Sequence, residues 1–314
     1  MRSDGTRAAN GFVCRLSKLL CRLGFSRVPH AFNAKLRAIN AGAAPRPLPS
    51  ICATHLFVDD PNTRHPDNSI GATAPSLRDG DQGVVLQRDR ATYAVAPHIP
   101  CGMVTPQLLR KIADVAERYQ CQALKLTSAE RIALIGLKPS DIEKVWQELG
   151  MQPGAVTGER VRSVRVCPGT DFCKRGQQNS LAIGRAIDAA HHGQPTPGKL
   201  KISVSGCPNQ CTETATKDIG LVGTKSGWDL WVGGSGGVNP PLASRLAKRC
   251  SDEEIVRLVD GVIAFFTANA QPKERLHRTL SRLGLNSLAD FLGIPQPVTE
   301  THTIPTSADH KAAQ

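Results

Sequence analysis

Two pairs of cysteines in the second half of the chain limit what this sequence can fold into more than any other feature. Cys167 and Cys173 are separated by PGTDF, and Cys207 and Cys211, after 33 intervening residues, are separated by PNQ. The Gly- and Pro-rich turns around them can bring backbone N–H groups close to sulfur atoms. The fold is therefore expected to present four thiols from two turns.

Three kinds of site could use these cysteines. Zinc sites usually have short gaps of about two to four residues between paired cysteines, so the first pair fits them poorly. Disulfides would need an oxidising compartment, and no secretory signal is visible. An iron–sulfur cluster accommodates the spacing. The spacing alone favours the cluster over zinc without deciding between them.

The balance of charges predicts an anionic partner. Across 314 residues there are 39 Lys and Arg against 27 Asp and Glu, a net charge of +12. Such an excess suits nucleic acid, a lipid surface, an acidic protein or a small anion. We expect no nucleic-acid binding, because no recognition motif is visible. We expect no membrane span, because no stretch approaches about 18 uncharged apolar residues.

Composition divides the chain into four parts. Residues 1–83 hold a basic arm and a segment rich in Pro, Gly, Asp and Asn, which predicts a largely disordered extension. The basic arm also has the composition of an organellar transit peptide. If it is only an extension, the protein is expected to be cytoplasmic. Regular hydrophobic patterns occupy residues 84–150 and 151–292, and a polar tail follows at 293–314. The two middle parts are expected to be the folded domains.

The pattern of residues 84–150 predicts a strand, a helix, two strands and a second helix. Thr105 before Pro106 is typical of a helix start. Ser140 and Glu143 have the spacing of a capping box for the second helix, and Gly150 is expected to end it. This alternation favours an α+β sandwich with helices on one face of a sheet.

Residues 151–292 predict further strands and helices. The strands are expected at Arg160–Val166, in the segment before Cys207, at Ile219–Val222 and at Trp228–Val232. The helices are expected within Lys174–His191, after Ser251 as N-cap, and at Pro272–Leu283, where Gly284 would end the last one. Two of the strands lead directly into the cysteine pairs.

Basic residues stand on these two predicted strands. Lys199 and Lys201 are two residues apart, so on a strand both side chains leave the same face. Arg160 and Arg162 repeat this spacing before Cys167. An isolated pair of this kind is most often a solvated strand face. Beside two cysteine pairs, these cations instead indicate a site for a strongly anionic group.

Five stretches carry a resemblance to a known family. They are HIPCGMVTPQLLRKIADVAERY, LKLTSAERIALIGL, VRVCPGTDFCKRG, KLKISVSGCPNQCTETATKDIGLVG and WDLWVGGSGG. From about Tyr93 to Leu292 the sequence resembles the sirohaem-dependent nitrite and sulfite reductases, in particular the C-terminal part of NADH-dependent nitrite reductase large subunits. The resemblance implies a ferredoxin-like half domain over residues 84–150 and an α/β domain that binds sirohaem and a [4Fe-4S] cluster over residues 151–292.

The resemblance assigns roles to the four paired cysteines. In the family they bind a [4Fe-4S] cluster, which here would use Cys167, Cys173, Cys207 and Cys211. The last of them, Cys211, would also bridge by its thiolate to the sirohaem iron. A shared sulfur offers electrons a covalent path between the two cofactors.

The resemblance also assigns the basic residues. Lys199 and Lys201 correspond to lysines that face the open side of the sirohaem, bind the anionic substrate and help to deliver protons. Arg131 resembles an arginine that contacts the sirohaem carboxylates or the substrate. Arg162 resembles another, whose offset from the cysteine varies in the family. Gly234 lies in a loop that in the family passes close to the sirohaem, although a tight turn explains that loop equally well.

The sequence departs from the family pattern in two places. His98, in HIPCG, stands where the family usually has arginine, so the bidentate fork is lost although a histidine can still carry a proton. The repeated half of the longer sulfite reductases occurs only once, which would require a homodimer or an open pocket around the sirohaem.

Three further cysteines without a pairing pattern are expected to be buried or incidental thiols. They are Cys101, Cys121 and Cys250.

These features predict an oxidoreductase that reduces nitrite to ammonia or sulfite to sulfide in a six-electron reaction. The glycine-rich loop at residues 233–237 does not match the dinucleotide fingerprint, so electrons are expected from a separate ferredoxin or flavoprotein. Two alternatives stay open. One is an enzyme like precorrin-3B synthase, which acts on a corrinoid precursor, and the other is a non-catalytic electron-transfer or sensing module.

Overall fold

The structure, a computed structural model, describes residues 77–296. Most of the predicted N-terminal extension and of the C-terminal tail lies outside the described residues, and so do Cys14, Cys21 and Cys52. Within the described part, two sheets each pack against helices and each has an apolar core of its own. The predicted α+β class is therefore confirmed.

The first sheet is antiparallel and is made by residues 84–137. Its strands are β1 (Val84–Leu86), β2 (Tyr93–Val95), β3 (Ala123–Leu126) and β4 (Ile132–Leu137), and its helices are α1 (Pro106–Arg118) and α2 (Ile142–Leu149). The strand order is β1-β2-β4-β3. The helices bury Ile112, Val115, Ile142 and Val145 against the sheet, because their apolar residues recur every three to four positions.

The start of α2 differs from the prediction. A 3-10 turn at Pro139–Asp141 precedes the helix, so Asp141 occupies the N-cap position and no side chain caps the helix. The predicted capping box of Ser140 and Glu143 is therefore wrong, because the extra turn moves Ser140 out of the N-cap position. Gly150 ends the helix in the left-handed conformation, as predicted.

The second sheet has five strands and mixed direction. Its strands are β5 (Arg165–Val166), β6 (Ile202–Ser205), β7 (Ile219–Thr224), β8 (Gly227–Val232) and β9 (Ser244–Cys250), in that spatial order. The helices are α3 (Gly169–Phe172), α4 (Ser180–His191), α5 (Asp252–Asn269), α6 (Leu276–Leu283) and α7 (Leu285–Leu292). Strands β5, β6 and β7 are parallel, whereas β8 and β9 are antiparallel to their neighbours.

Among the described residues, no helix is long and apolar enough to cross a membrane.

Several predicted elements of this domain have different bounds. The strand predicted over Arg160–Val166 is reduced to β5, because the residues before it make only isolated bridges. The strand before Cys207 begins at Ile202, so Lys199 and Lys201 lie just before β6 rather than on it. The predicted last helix begins only at α6, and α7 follows directly after Gly284. The elements β9, α3 and α7 were not predicted, and before α1 the sequence predicted one strand where the structure has two, β1 and β2.

Candidate functional site

The two cysteine pairs lie at one end of the second sheet. Strands β5 and β6 are parallel, with Val166 opposite Val204, so the turns that follow them meet at the same sheet edge. The N–H of Gly206 donates a hydrogen bond to Sγ of Cys167 at 3.1 Å, which joins the turn of the second pair to the first pair. A side chain on Gly206 would lie 3.0 Å from Cα of Gly169, so glycine permits this close approach.

The chemistry of these donors fits an iron–sulfur cluster. Cys211 is exposed, Cys167 and Cys173 are half-buried, and Cys207 is buried. Within residues 77–296, no three His, Cys, Asp or Glu side chains converge as ligands of a single metal ion. A four-iron cluster does not need such convergence, because its thiolates bind at separate corners. A backbone N–H donated to a thiol is also the kind of contact that tunes such a cluster.

A cavity of about 370 Å³ beside these turns is strongly basic. Six cations and a single carboxylate line this basic cavity. They are Arg131, Arg162, Arg165, Lys199, Lys201, Lys217 and Glu213. The residue two positions before Glu213 is Cys211, so the exposed cysteine and the basic cavity are close along the chain. Such an excess of positive charge in a concave site favours a multiply charged anion.

The structure thus brings together four of the five basic residues that the sequence singles out, whereas Arg160 does not line the basic cavity. Arg131, Arg162, Lys199 and Lys201 line the basic cavity, and their roles there stay predictions. Gly234 does not line it. A side chain at Gly234 would lie 2.4 Å from the carbonyl oxygen of Ala215, so close packing explains this glycine.

Two cations of the cavity, Arg165 and Lys217, were not predicted from the sequence as site residues. Arg165 donates a hydrogen bond to Glu213 at 2.9 Å, and the ammonium group of Lys217 lies 3.1 Å from the same carboxylate. Both lie inside stretches that carry the family resemblance, but Lys217 is 16 residues beyond Lys201 and only the fold brings the two together.

The arginines of the cavity are held in place by the backbone. Arg131 donates to the carbonyl of Gly154 and, at 3.2 Å, to the hydroxyl of Ser163. Arg162 donates to three backbone carbonyls in the segment of residues 155–158. The buried Nε of Arg131 has no partner among the described residues, so this donor is available to a bound group.

The lysines are less constrained than the arginines. Among the described residues, no hydrogen bond to Nζ of Lys199 or Lys201 is present, although the backbone of Lys201 is fixed. The N–H of Lys201 donates to Asp218 at 2.8 Å, and Arg275 donates to the same carboxylate at 2.7 and 3.1 Å. Asp218 is fully buried. A buried ion pair therefore sets the position from which the Lys201 side chain enters the cavity.

Burial and mutual repulsion destabilise the charged forms of these cations. Burial lowers the pKa of Lys199 and of Lys201, and the nearby Arg275 lowers both further. Burial, with the charges of Arg131 and Arg160, lowers the pKa of Arg162 to about 10. A bound anion would offset both effects, so the cavity is preorganised for negative charge.

Sequence comparisons identify relatives of this site and fold. Residues 85–152 match the profile described as the nitrite/sulfite reductase ferredoxin-like half domain, and residues 157–295 match the nitrite and sulphite reductase 4Fe-4S domain. The chain belongs to the nitrite and sulfite reductase family. The predicted family is thus confirmed, and an oxidoreductase with an iron–sulfur cluster follows from it.

Two curated relatives show how much of a family member this chain represents. It is 38% identical to "Sulfite reductase, assimilatory-type" of Nitratidesulfovibrio vulgaris, over 68% of this chain and 97% of the relative. It is also 38% identical to "Nitrite reductase [NAD(P)H]" of Bacillus subtilis, over 67% of this chain but only 26% of the relative. The chain therefore spans nearly all of one relative and about a quarter of the other.

A solved structure shares the family fold. The crystal structure of dissimilatory sulfite reductase I matches with a TM-score of 0.59 at 15% identity, over 69% of this chain and 74% of that one. At this identity the match establishes the fold alone.

Proposed function

We propose that this chain reduces sulfite to sulfide in a six-electron reaction, with a [4Fe-4S] cluster, sirohaem and a separate electron-donor protein. The observation that carries the proposal is the basic cavity, in which six cations face a single carboxylate beside the cysteine turns. The assimilatory-type sulfite reductase supports the choice of sulfite, because the chain covers 97% of its length.

The surroundings of the basic cavity suit a tetrapyrrole with carboxylates at its rim. A second cavity of about 650 Å³ shares Arg131 with the basic cavity, and most of its other lining residues are apolar. Leu126 and Phe172 line it and are 74% and 72% exposed. An apolar ring with acidic substituents needs both kinds of surface. Arg131, Arg162 and Arg165 would hold the carboxylates of sirohaem.

The lysines of the cavity would act on the substrate. The bound cofactors supply the electrons for reduction at the central atom of the anion. Lys199 and Lys201 would neutralise the charge of sulfite and hold its oxygens. Each oxygen leaves as water, so the reaction consumes protons, and an ammonium group with a lowered pKa gives up a proton more readily.

Nitrite is the second candidate substrate. The match to the Bacillus subtilis nitrite reductase favours it, and a basic cavity does not by itself distinguish two small oxyanions. The same cations would bind nitrite, and the same proton supply would serve the formation of ammonia.

An assay with an artificial donor tests the proposed function. We expect anaerobically prepared full-length protein to oxidise reduced methyl viologen when sulfite is added, with a higher kcat/KM for sulfite than for nitrite. A higher kcat/KM for nitrite than for sulfite would instead support nitrite as the substrate. Turnover of neither anion would contradict the proposal. If the protein then converted a corrinoid precursor, an enzyme like precorrin-3B synthase would be favoured. If it did not, a non-catalytic module would be favoured.

A further inference from the structure

A half-buried histidine, His98, contacts a residue that lines the basic cavity. Nε2 of His98 is 2.7 Å from a carboxylate oxygen of Asp188, and its Nδ1 is 3.2 Å from the hydroxyl of Ser163. Ser163 lines the cavity, and its hydroxyl also accepts a hydrogen bond from Arg131 at 3.2 Å. The family resemblance places an arginine at the position where this chain has His98. The His98 side chain contacts the cavity through the hydroxyl of Ser163.

The hydrogen-bond partners of His98 place a hydrogen on its Nε2 nitrogen. Asp188 accepts from the N–H of Val164 at 2.9 Å through one carboxylate oxygen and faces Nε2 with the other. An ionised carboxylate only accepts, so Nε2 carries a hydrogen in both charge states of the imidazole. Any change in the protonation of His98 therefore occurs at Nδ1, which faces Ser163.

The charge of His98 then decides where the Ser163 hydroxyl points. When Nδ1 is protonated it donates to Oγ of Ser163, which already accepts from Arg131, so the hydroxyl hydrogen is left to point into the cavity. When Nδ1 is unprotonated it can only accept, and the Ser163 hydroxyl turns back to donate to it. The cavity gains a donor in the first state and loses it in the second.

We propose that His98 is a positioning residue which, when protonated, turns the Ser163 hydroxyl toward the bound oxyanion. The proposal rests on the proposed function, because it assigns a further donor to the same cavity. It predicts that oxyanions bind more tightly when His98 is protonated than when it is neutral. The expected difference is about tenfold, the scale of one hydrogen bond to a charged group.

Four other ionisable groups surround His98. Asp188 pairs with it, and His192 stacks on its ring with centroids 3.5 Å apart. Burial, helped by the charge of His98, lowers the pKa of His192 to about 4, so this ring stays neutral. Cys101 lies near Asp188, and burial raises its pKa to about 12. Arg131, on the far side of Ser163, stays charged. A change in oxyanion binding between about pH 5 and pH 8 would therefore not come from His192, Cys101 or Arg131.

Nitrite titrations at several pH values test the proposal. Nitrite is the probe because sulfite itself changes its protonation in this range. The dissociation constant for nitrite is measured by absorbance on the cofactor-loaded protein from about pH 5 to pH 8. We expect it to rise about tenfold across this range in the wild type, and to lose this rise in His98→Asn and in Ser163→Ala. His191→Asn is the matched control, because His191 makes a similar 2.7 Å pair with Asp260 away from the cavity.

Each variant excludes a different explanation. Ser163→Ala keeps the charge of His98, so a pH step that persists in this variant would show that charge alone acts and would overturn the role of the hydroxyl. A wild-type protein that binds nitrite equally across the range, or not at all, would also overturn the inference. Failure of the proposed function is distinguishable, because it appears as absence of turnover with both sulfite and nitrite.

A ligand-free measurement gives an independent check on the hydrogen bond. In protein labelled with ¹⁵N-histidine, the Nδ1 resonance of His98 is expected to shift when Ser163 is replaced by alanine, while the resonances of His191 stay unchanged. An unchanged Nδ1 resonance would overturn the contact on which the proposal depends.

Discussion

Replacing Lys199 and Lys201 together by alanine is expected to lower the proposed turnover of sulfite at least about a hundredfold, while the proposed [4Fe-4S] cluster and sirohaem stay bound. The two side chains line the basic cavity and have no hydrogen-bond partner for Nζ among the described residues. Their removal therefore takes away charge from the cavity without leaving a buried partner unsatisfied. The four cysteines proposed as cluster ligands are unchanged, so the absorbance spectrum and the iron content should match the wild type.

The matched control removes two lysines from the same domain outside the cavity. Lys225, in the turn between β7 and β8, and Lys248, on β9, are both exposed. Their double alanine variant should keep wild-type turnover, because exposed charges outside the cavity contribute little. If the variant lacking Lys199 and Lys201 turned over sulfite like this control, the role of the lysines would be excluded.

Replacing Asp218 by alanine is expected to lower the thermal midpoint of unfolding by about 10 °C. Asp218 is fully buried, and Arg275 is 18% exposed, so the remaining guanidinium would lose its main partner in a place with little water. Breaking a buried pair from one side costs about 3–5 kcal/mol, because the other charge stays buried. The N–H of Lys201 would lose its acceptor as well. The midpoint is measured by circular dichroism on the full-length protein.

An exposed hydrogen-bonded pair provides the comparison. Asp260 pairs with His191 at the same distance of 2.7 Å, but its side chain is 54% exposed. Asp260→Ala should shift the midpoint by only about 2 °C, because water replaces the lost partner. Equal shifts in the two variants would mean that the pair of Asp218 and Arg275 does not anchor this part of the cavity.

Local signals in the sequence predicted those features that depend on neighbouring residues. The hydroxyl of Thr105 accepts from the N–H of Leu108 one turn into α1, and Pro106 is the first helical residue, as the Thr-Pro sequence predicts. The positions of the cysteines after two strands were also predictable, since alternating apolar residues lead into Cys207. The spacing of Lys199 and Lys201 placed both in one cavity even though β6 begins only after them.

Features that depend on distant residues were not predictable from the sequence. Strand β9 was missed because irregular register against β8 breaks the alternation of its apolar residues. His98 and Ser163 are 65 residues apart in sequence, and His98 and Asp188 are 90 apart, so only the packing of the two domains brings them together. The same holds for the contribution of Lys217 to the basic cavity.

The absorbance spectrum of the full-length protein, purified without oxygen, tests the central claim most directly. If the basic cavity and the cysteine turns hold sirohaem and a [4Fe-4S] cluster, the protein is coloured, and its spectrum has a Soret band and a band in the red. Zinc or an isolated cluster cannot produce this pair of bands. A colourless protein loaded with zinc would contradict the account.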